Sequence, residues 1–216
     1  MFLASAFDPV VNFFVHGGIF MGFLVLLSVV SLTIILWRAM ALRSGAVLPI
    51  AIELAVEHMT SRSSLPRVAA TIEAHPSPLG RVLEVVLRHK DWSREENAQA
   101  VQTRARHEVM HLETGLVFLE IATGIAPLLG LLGTLSGLVH IFGGLGADPA
   151  QVARGISEAL NATIAGLAIA VPCLIAFNYF SRKVETMAIT METIASDLIA
   201  KCYSSAMSDH PETVVR

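Results

Sequence analysis

Three residues capable of proton chemistry lie inside or beside long apolar stretches: Thr134, Thr163 and Glu158. A hydroxyl both donates and accepts hydrogen bonds, so a threonine can serve a carboxyl group in either protonation state. A carboxylate at the edge of an apolar helix raises the question of an ion path. Each has a simpler alternative: a threonine in such a helix often bonds only the carbonyl four residues earlier, and Glu158 can sit in the headgroup layer.

The stretches around these residues are long enough to cross a membrane. Hydrophobic residues make up 54% of the 216 residues, charged residues make up 15%, and the mean hydropathy is +0.63. Charge-free runs at 17–37, 121–146 and 159–181 can each cross a hydrocarbon core about 30 Å thick. The sequence therefore predicts an all-α membrane protein with three transmembrane helices, at 17–37, 119–142 and 156–178.

The basic residues predict an orientation. Ten of the 15 Lys and Arg lie between positions 38 and 120, four follow the third span, and Arg154 alone lies between the second and third spans. By the positive-inside rule, residues 1–16 and a loop at 143–155 are outside, and 38–118 and 179–216 are cytoplasmic. The first 37 residues contain no Lys or Arg, so we expect the first span to be retained rather than cleaved as a signal peptide.

The cytoplasmic part is predicted to be helical as well. Prolines at 49, 66, 76 and 78 indicate short helices, and a capping box at Ser93 and Glu96 indicates the start of a long one. Apolar residues recur every three or four positions from there into the second span, and from the third span into the tail. We therefore expect the second and third transmembrane helices to extend far into the cytoplasm, beside a cytoplasmic helical bundle. These apolar stripes can pack within one chain or join neighbouring subunits.

Small residues line one face of the second span and one face of the third. Helices in lipid associate closely through small residues, because no hydrophobic drive brings them together there. The residues predicted for helix packing are Gly130, Gly133, Gly137, Gly166, Ala162 and Pro172.

Other classes of function find little support in the sequence. Cys173 and Cys202 suggest no disulfide framework, and His107 with His111 has no third metal ligand nearby. The ten basic residues between positions 38 and 120 are interspersed with nine acidic ones from Glu53 to Glu113, which argues against a nucleic-acid patch. Without a nucleophile–base pair or a phosphate loop, the sequence predicts neither an enzyme nor a metal or other cofactor.

Two motifs resemble a known family. The segments GIAPLLGLLGTLSGLVHIF (124–142) and GISEALNATIAGLAIAVPCLIAFNYFSRKVE (155–185) resemble the ExbB/TolQ branch of the MotA/TolQ/ExbB proton-channel family. The first contains a GLxGTVxGM-like core, and the second an EALxAT-like run followed by a proline-bearing helix. The replacements relative to the family motifs are Leu135, Leu138 and Phe177.

The resemblance implies a homopentamer around a central pore that holds two copies of a single-span ExbD/TolR-like partner. The partner would supply an aspartate that takes up and releases protons, and Thr134, Thr163 and Glu158 would line its path. Such a complex is an inner-membrane motor of bacteria that energises outer-membrane processes, either TonB-type transport or Tol-type envelope maintenance, through a TonB- or TolA-like protein. Two alternatives stay open: a membrane scaffold without ion conduction, and a divergent stator-type subunit, which three spans disfavour.

Overall fold

The structure is a computed structural model that describes residues 18–60, 62–143 and 149–208. The helices are α1 (Gly18–Ala41), α2 (Ser44–Val47), α3 (Ile50–Glu57), α4 (Leu65–Ala74), α5 (Pro78–Arg88), α6 (Arg94–Glu113), α7 (Leu116–Gly143) and α8 (Pro149–Ser208), with a 3-10 helix at Arg62–Ser64. These described ranges contain no strand, and the predicted all-α fold is confirmed. The predicted external segment 1–16 lies outside the described residues.

Among the described residues, three helices are long and apolar enough to cross a membrane, as predicted. The apolar stretches lie within Ile19–Ala41, Leu116–Gly143 and Gly155–Ser204. The structure differs from the prediction at the connection between the second and third spans. Helix α8 begins at Pro149, so positions 149–155 of the predicted 143–155 loop are helical, and 144–148 lie outside the described residues.

One compact unit contains most of these apolar stretches, and we call it the membrane unit. It comprises the described residues up to Arg38 and those from Gly115 to Tyr179. Its core joins all three helices, because Met21 and Leu24 of α1 pack with Ala126 of α7 and Ala170 of α8. Many large apolar side chains of these helices remain exposed, as expected for residues that face lipid: Phe23, Leu26, Leu128, Val139, Ile164 and Ile175.

The other unit, which we call the bundle unit, comprises Ala39–Thr114 and the described residues from Phe180 onward. It contains short helices, as the prolines predict, and two of these helices have a proline in the first turn, where proline needs no amide donor. Pro66 lies in the first turn of α4 and Pro78 opens α5. The predicted capping box is confirmed, since the Ser93 hydroxyl accepts from the Glu96 amide and the Glu96 carboxylate accepts from the Ser93 amide.

The prediction of one unbroken helix from Ser93 through the second span is wrong. Helix α6 ends at Glu113 and α7 begins at Leu116, with a break at Thr114 and Gly115. Gly115 has a φ of 84°, a left-handed conformation that glycine adopts without the steric penalty of a Cβ atom. Glycine at this position is a common helix terminator, so the break has a local cause in the sequence.

The predicted continuation of the third span is confirmed, because α8 is one helix of 60 residues. The apolar stripe expected along its second half is buried in the bundle unit: Val184, Met187, Met191, Ile194 and Leu198.

Candidate functional site

Helices α7 and α8 approach each other so closely that their backbones touch. A Cβ atom built on Gly130 would lie 2.7 Å from the Ala162 carbonyl oxygen, and one built on Gly166 would lie 2.5 Å from the Ala126 carbonyl oxygen. Both distances are far below a van der Waals contact, and the opposing atoms are backbone atoms that a rotamer change cannot move away. These two glycines therefore set the distance between the helices.

Two further glycines lie along the same contact between α7 and α8. A Cβ atom on Gly133 would lie 2.8 Å from the Ala162 Cβ, and one on Gly137 would lie 2.9 Å from the Ala159 Cβ. Gly133 also faces α1, where the Phe20 Cβ is 3.4 Å away from the same built atom. Four of the glycines predicted for packing, together with Ala162, thus meet within one chain.

Pro172 stands apart from the other residues predicted for packing. It lies inside α8, and its side chain is exposed.

The close approach brings the two predicted threonines together. The Thr134 Oγ1 lies 2.5 Å from the Thr163 Oγ1, 3.1 Å from the Gly130 carbonyl oxygen and 3.2 Å from the Ala159 carbonyl oxygen. The Thr163 Oγ1 also reaches the Gly130 carbonyl oxygen, at 3.3 Å. Thr134 therefore contacts the carbonyl four residues earlier, and it also bonds across to the neighbouring helix.

The two hydroxyls can be hydrogen-bonded in two directions, because each carries a single proton. In one arrangement Thr163 donates to Thr134, and Thr134 donates to the carbonyl of Gly130 or Ala159. In the other, Thr134 donates to Thr163, and Thr163 donates to the Gly130 carbonyl. Both arrangements keep both hydroxyl protons bonded, so the pair can reverse its direction without leaving a proton unpaired.

The hydroxyl pair is more accessible on one side. Thr134 is 9% exposed, whereas Thr163 is half-buried. Thr163 is therefore the member of the pair that water or a carboxyl group reaches more easily. The backbone of Glu158 lies in α8, five residues or about 7.5 Å of helix before Thr163, but its side chain lies outside the described residues.

The acceptors of this pair are carbonyl groups that the sequence does not single out. The Gly130 carbonyl accepts from Thr134 on the same helix and from Thr163 on α8, and the Ala159 carbonyl accepts from Thr134 on α7. The bonds between the helices form because Gly130 has no Cβ atom that would hold α7 and α8 apart. Gly130 is the feature of the sequence that indicates these acceptors, because glycine permits two helix backbones to approach closely. The register that selects Ala159 depends on the packed helices.

A second buried polar cluster lies in the bundle unit, around Glu108. Its side chain is 2% exposed and accepts hydrogen bonds from Arg81 Nε and Nη2 at 2.9 and 2.5 Å. Arg104 Nη2 forms a further ion pair with it at 2.8 Å. Burial alone raises the pKa of the Glu108 carboxyl, but the Arg81 hydrogen bonds and the charges of Arg81, Arg104 and His111 outweigh burial and lower this pKa.

The residues considered for a metal site come together only as a pair. The rings of His107 and His111 meet edge to face with centroids 4.6 Å apart. In the part of the chain that the structure describes, no group of three or more His, Cys, Asp or Glu side chains is arranged to hold a metal ion.

Comparison with known proteins identifies the family. The sequence profile of the MotA/TolQ/ExbB proton channel family matches residues 74–193, which include α6, α7 and most of α8. This match covers more than half of the chain, so the chain belongs to the MotA/TolQ/ExbB proton channel family.

Individual relatives agree with the ExbB/TolQ branch. An ExbB-like biopolymer transport protein of Synechocystis sp. is 32% identical over 177 residues, covering 76% of this chain and 68% of the relative. The biopolymer transport protein ExbB of Neisseria gonorrhoeae is 27% identical, covering 65% of this chain and 72% of the relative. The Tol-Pal system protein TolQ of Pseudomonas aeruginosa is 38% identical over 107 residues, covering 48% of this chain and 46% of the relative. The branch predicted from the two motifs is confirmed.

Proposed function

We propose that this chain is the large subunit of a proton-driven motor in the bacterial inner membrane, which energises processes at the outer membrane. The observation that carries the proposal is the Thr134–Thr163 hydroxyl pair, at 2.5 Å in the contact between two membrane-spanning helices. Family membership supports the proton-channel part of the proposal. The proposal assigns no enzymatic activity and no cofactor to the chain.

The hydroxyl pair supplies a lining group suited to protons. A titrating carboxyl group needs a donor when it is ionised and an acceptor when it is protonated, and a hydroxyl pair that reverses its direction offers both. Thr163 is the half-buried member, so we assign to it the direct contact with water or a carboxyl group. We assign to Thr134 the hydrogen bond with Thr163 that reverses its direction. The pair has no charge of its own, so it does not trap a proton.

The choice of partners is supported by the names of the relatives, which include biopolymer transport protein ExbB and Tol-Pal system protein TolQ. We propose a homopentamer of this chain around a single-span ExbD/TolR-like partner, which supplies the titrating carboxylate. A TonB- or TolA-like protein would take the motion to the outer membrane. ExbB-type and TolQ-type roles are both compatible with the relatives, and an ExbD-, TolR- or TonB-like gene beside this one would distinguish them.

The proposed orientation is that predicted by the basic residues, with the N-terminus outside and the bundle unit and C-terminus in the cytoplasm. A reporter fused after residue 90 is expected to read as cytoplasmic, and one fused within 145–150 as external. The reverse result at both positions would overturn the orientation.

The geometry of the hydroxyl pair also fits the scaffold alternative. Both hydroxyls have partners within the chain, namely each other and the Gly130 and Ala159 carbonyls. A pair that serves only to join α7 and α8 would have the same geometry. The two functions therefore differ in what the hydroxyls do when the partner is present.

The experiment that tests the proposed function compares proton uptake with and without the partner. The chain is reconstituted into vesicles alone and with its single-span ExbD/TolR-like partner, and an inward pH gradient is applied. We expect uptake with the partner and little without it. Equal, background-level uptake in both preparations, with the complex intact by mass, would favour the scaffold.

Glu158 is proposed to act by its charge near the outer mouth of the path. In the same vesicles, Glu158→Gln is expected to lose most of the uptake, because the amide cannot titrate. Glu158→Asp is expected to keep part of it. Full activity of Glu158→Gln would assign Glu158 to the headgroup layer instead.

A further inference from the structure

Arg38 is a buried cation at the end of a membrane-spanning helix. It lies in the last turn of α1, after a long apolar stretch, and is 3% exposed. Its neighbours along the helix, Leu36, Trp37 and Met40, are more than half exposed. A tryptophan and an arginine at the end of such a helix lie at the depth of the phospholipid headgroups.

One edge of the Arg38 guanidinium has no hydrogen-bond acceptor among the described residues. The two buried donors without a partner are Nε and Nη2. The Trp37 ring lies 4.8 Å from the Cζ atom, and its π-electrons attract the positive charge, but this contact gives the in-plane N–H groups no acceptor. An ionised group that is removed from water without a partner is costly, so this edge favours an anion.

The same chain contains an arginine that uses this edge. Arg81 donates from Nε and Nη2 to the two carboxylate oxygens of Glu108, at 2.9 and 2.5 Å. This bidentate geometry fits two anionic oxygens bonded to one atom, as in a carboxylate or a phosphate. Arg38 presents the same two donors, and in the described part of the chain no carboxylate accepts from them.

We propose that Arg38 binds the phosphate group of a membrane phospholipid through Nε and Nη2. The lipid is favoured over a protein carboxylate because the helix surface beside Arg38 is apolar and exposed, as a lipid-facing surface is. Phosphate oxygens lie at the depth of Arg38, where basic residues between membrane helices bind lipid headgroups. The proposal does not depend on proton conduction.

Gly115 lies beside the unpaired edge, and its backbone is suited to movement. A Cβ atom built on Gly115 would lie 3.4 Å from Arg38 Nε and 3.7 Å from Nη2. Because both unpaired donors are buried, binding requires neighbouring residues, Gly115 among them, to move away from the guanidinium. Glycine is the residue with the widest choice of backbone conformations, and Gly115 is the one described residue with a left-handed φ.

The test measures lipid retained by the full-length protein after delipidation and addition of phosphatidylglycerol, by native mass spectrometry. The variants are Arg38→Met, Arg38→Lys and the control Arg43→Met, which removes an exposed arginine nearby. Lipid is added at high salt, because salt screens the attraction of exposed charges for the lipid. We expect about tenfold weaker retention for Arg38→Met, because two charge-assisted hydrogen bonds are lost, and an intermediate loss for Arg38→Lys. Arg43→Met should match the wild type.

Two further arms separate the sources of the phosphate. Phosphatidylcholine, which also contains a phosphate, should be retained in an Arg38-dependent way but more weakly. Inorganic phosphate should not displace the lipid, and displacement at millimolar concentration would assign the site to free phosphate. Equal lipid retention by the wild type, Arg38→Met and Arg38→Lys would overturn the proposal. Unchanged lipid with a smaller oligomer in Arg38→Met would indicate a protein carboxylate as the ligand.

Discussion

The α7–α8 contact and the Glu108 cluster both bury polar groups, but they satisfy them with different chemistry. In the membrane unit, two neutral hydroxyls bond each other and backbone carbonyls that glycines leave accessible. In the bundle unit, a buried carboxylate is paired with two arginines that are themselves 46% and 37% exposed. Water can hydrate the outer parts of these arginines, whereas the hydrocarbon interior of a membrane offers a charge no hydrogen-bonding partner.

The two regions also hold their helices together differently. Backbone contact at glycines joins α7 and α8, which suits a solvent that gives apolar surfaces no reason to associate. The bundle unit buries large side chains such as Leu79, Leu83 and Leu198, which suits water, where burial of apolar surface drives association. If this contrast is correct, adding a methyl group should damage the first region, and removing a charge should damage the second.

The largest effect is expected at Gly166. Gly166→Ala places a Cβ atom 2.5 Å from the Ala126 carbonyl oxygen, so α7 and α8 must move apart, at a cost of about 3 kcal/mol or more. The measurement is the unfolding midpoint in detergent, followed by circular dichroism.

The matched control for this substitution is Gly124→Ala on α7, where a Cβ atom meets nothing within 4 Å. Alanine favours the helix there by up to about 1 kcal/mol, so this variant should be as stable as the wild type or more stable. Equal destabilisation by both substitutions would mean that Gly166 has no special role in the contact.

The next effect is expected at Glu108. Glu108→Gln leaves Arg81 and Arg104 without their counter-ion and should destabilise the protein by about 2 kcal/mol. Glu84→Gln is the control, because the Glu84–Arg88 pair is exposed and such pairs contribute about 0.5 kcal/mol or less. Similar losses from the two substitutions, measured by the same unfolding midpoint, would contradict a special role for the buried cluster.

Acid should remove the difference in folding stability between the wild type and Glu108→Gln. The folded-state pKa of Glu108 is lowered, so its stabilisation is present above the unfolded value of about 4.3 and is lost as the pH falls through the folded value. The stability difference between the wild type and Glu108→Gln should therefore be full at pH 7 and shrink toward pH 3. A difference that stays constant over this range would show that the charge of Glu108 does not stabilise the fold.

A smaller stability effect is expected at the hydroxyl pair. Thr134→Val keeps the shape of the side chain and removes the bonds to Thr163 and Ala159, which should cost about 1 kcal/mol. Thr134→Ser, which keeps the hydroxyl, should lie closer to the wild type. Losses comparable to that of Gly166→Ala would mean that the pair, rather than the glycines, holds α7 and α8 together.

The features that the sequence predicts well have local causes. The spans follow from charge-free runs, and the capping box follows from Ser93 and Glu96. The break at Gly115 also has a local cause, but the sequence does not predict it, because the apolar spacing continues across the break through Leu116 and Leu119. A glycine that follows a polar helix and precedes an apolar one is the signal to weigh against such a stripe.

The features that the sequence does not predict depend on which elements meet. Arg104 and Glu108 are four residues apart, a spacing that predicts an ion pair, whereas Arg81 reaches Glu108 from 27 residues away. The Ala159 carbonyl becomes an acceptor only in the register of α7 and α8. The unpaired edge of Arg38 likewise appears only when the surroundings of α1 are known.

Proton uptake by double threonine variants tests the central claim most directly. Vesicles contain the single-span partner and either the wild type, Thr134→Val with Thr163→Val, or Thr134→Ser with Thr163→Ser, with the oligomer checked by mass. We expect the valine pair to abolish uptake while assembly survives, because valine keeps the shape of threonine without its hydroxyl. The serine pair should retain most of the uptake, because serine keeps the hydroxyl. Normal uptake by the valine pair in an intact complex would contradict the proton path and leave both threonines as helix-packing residues.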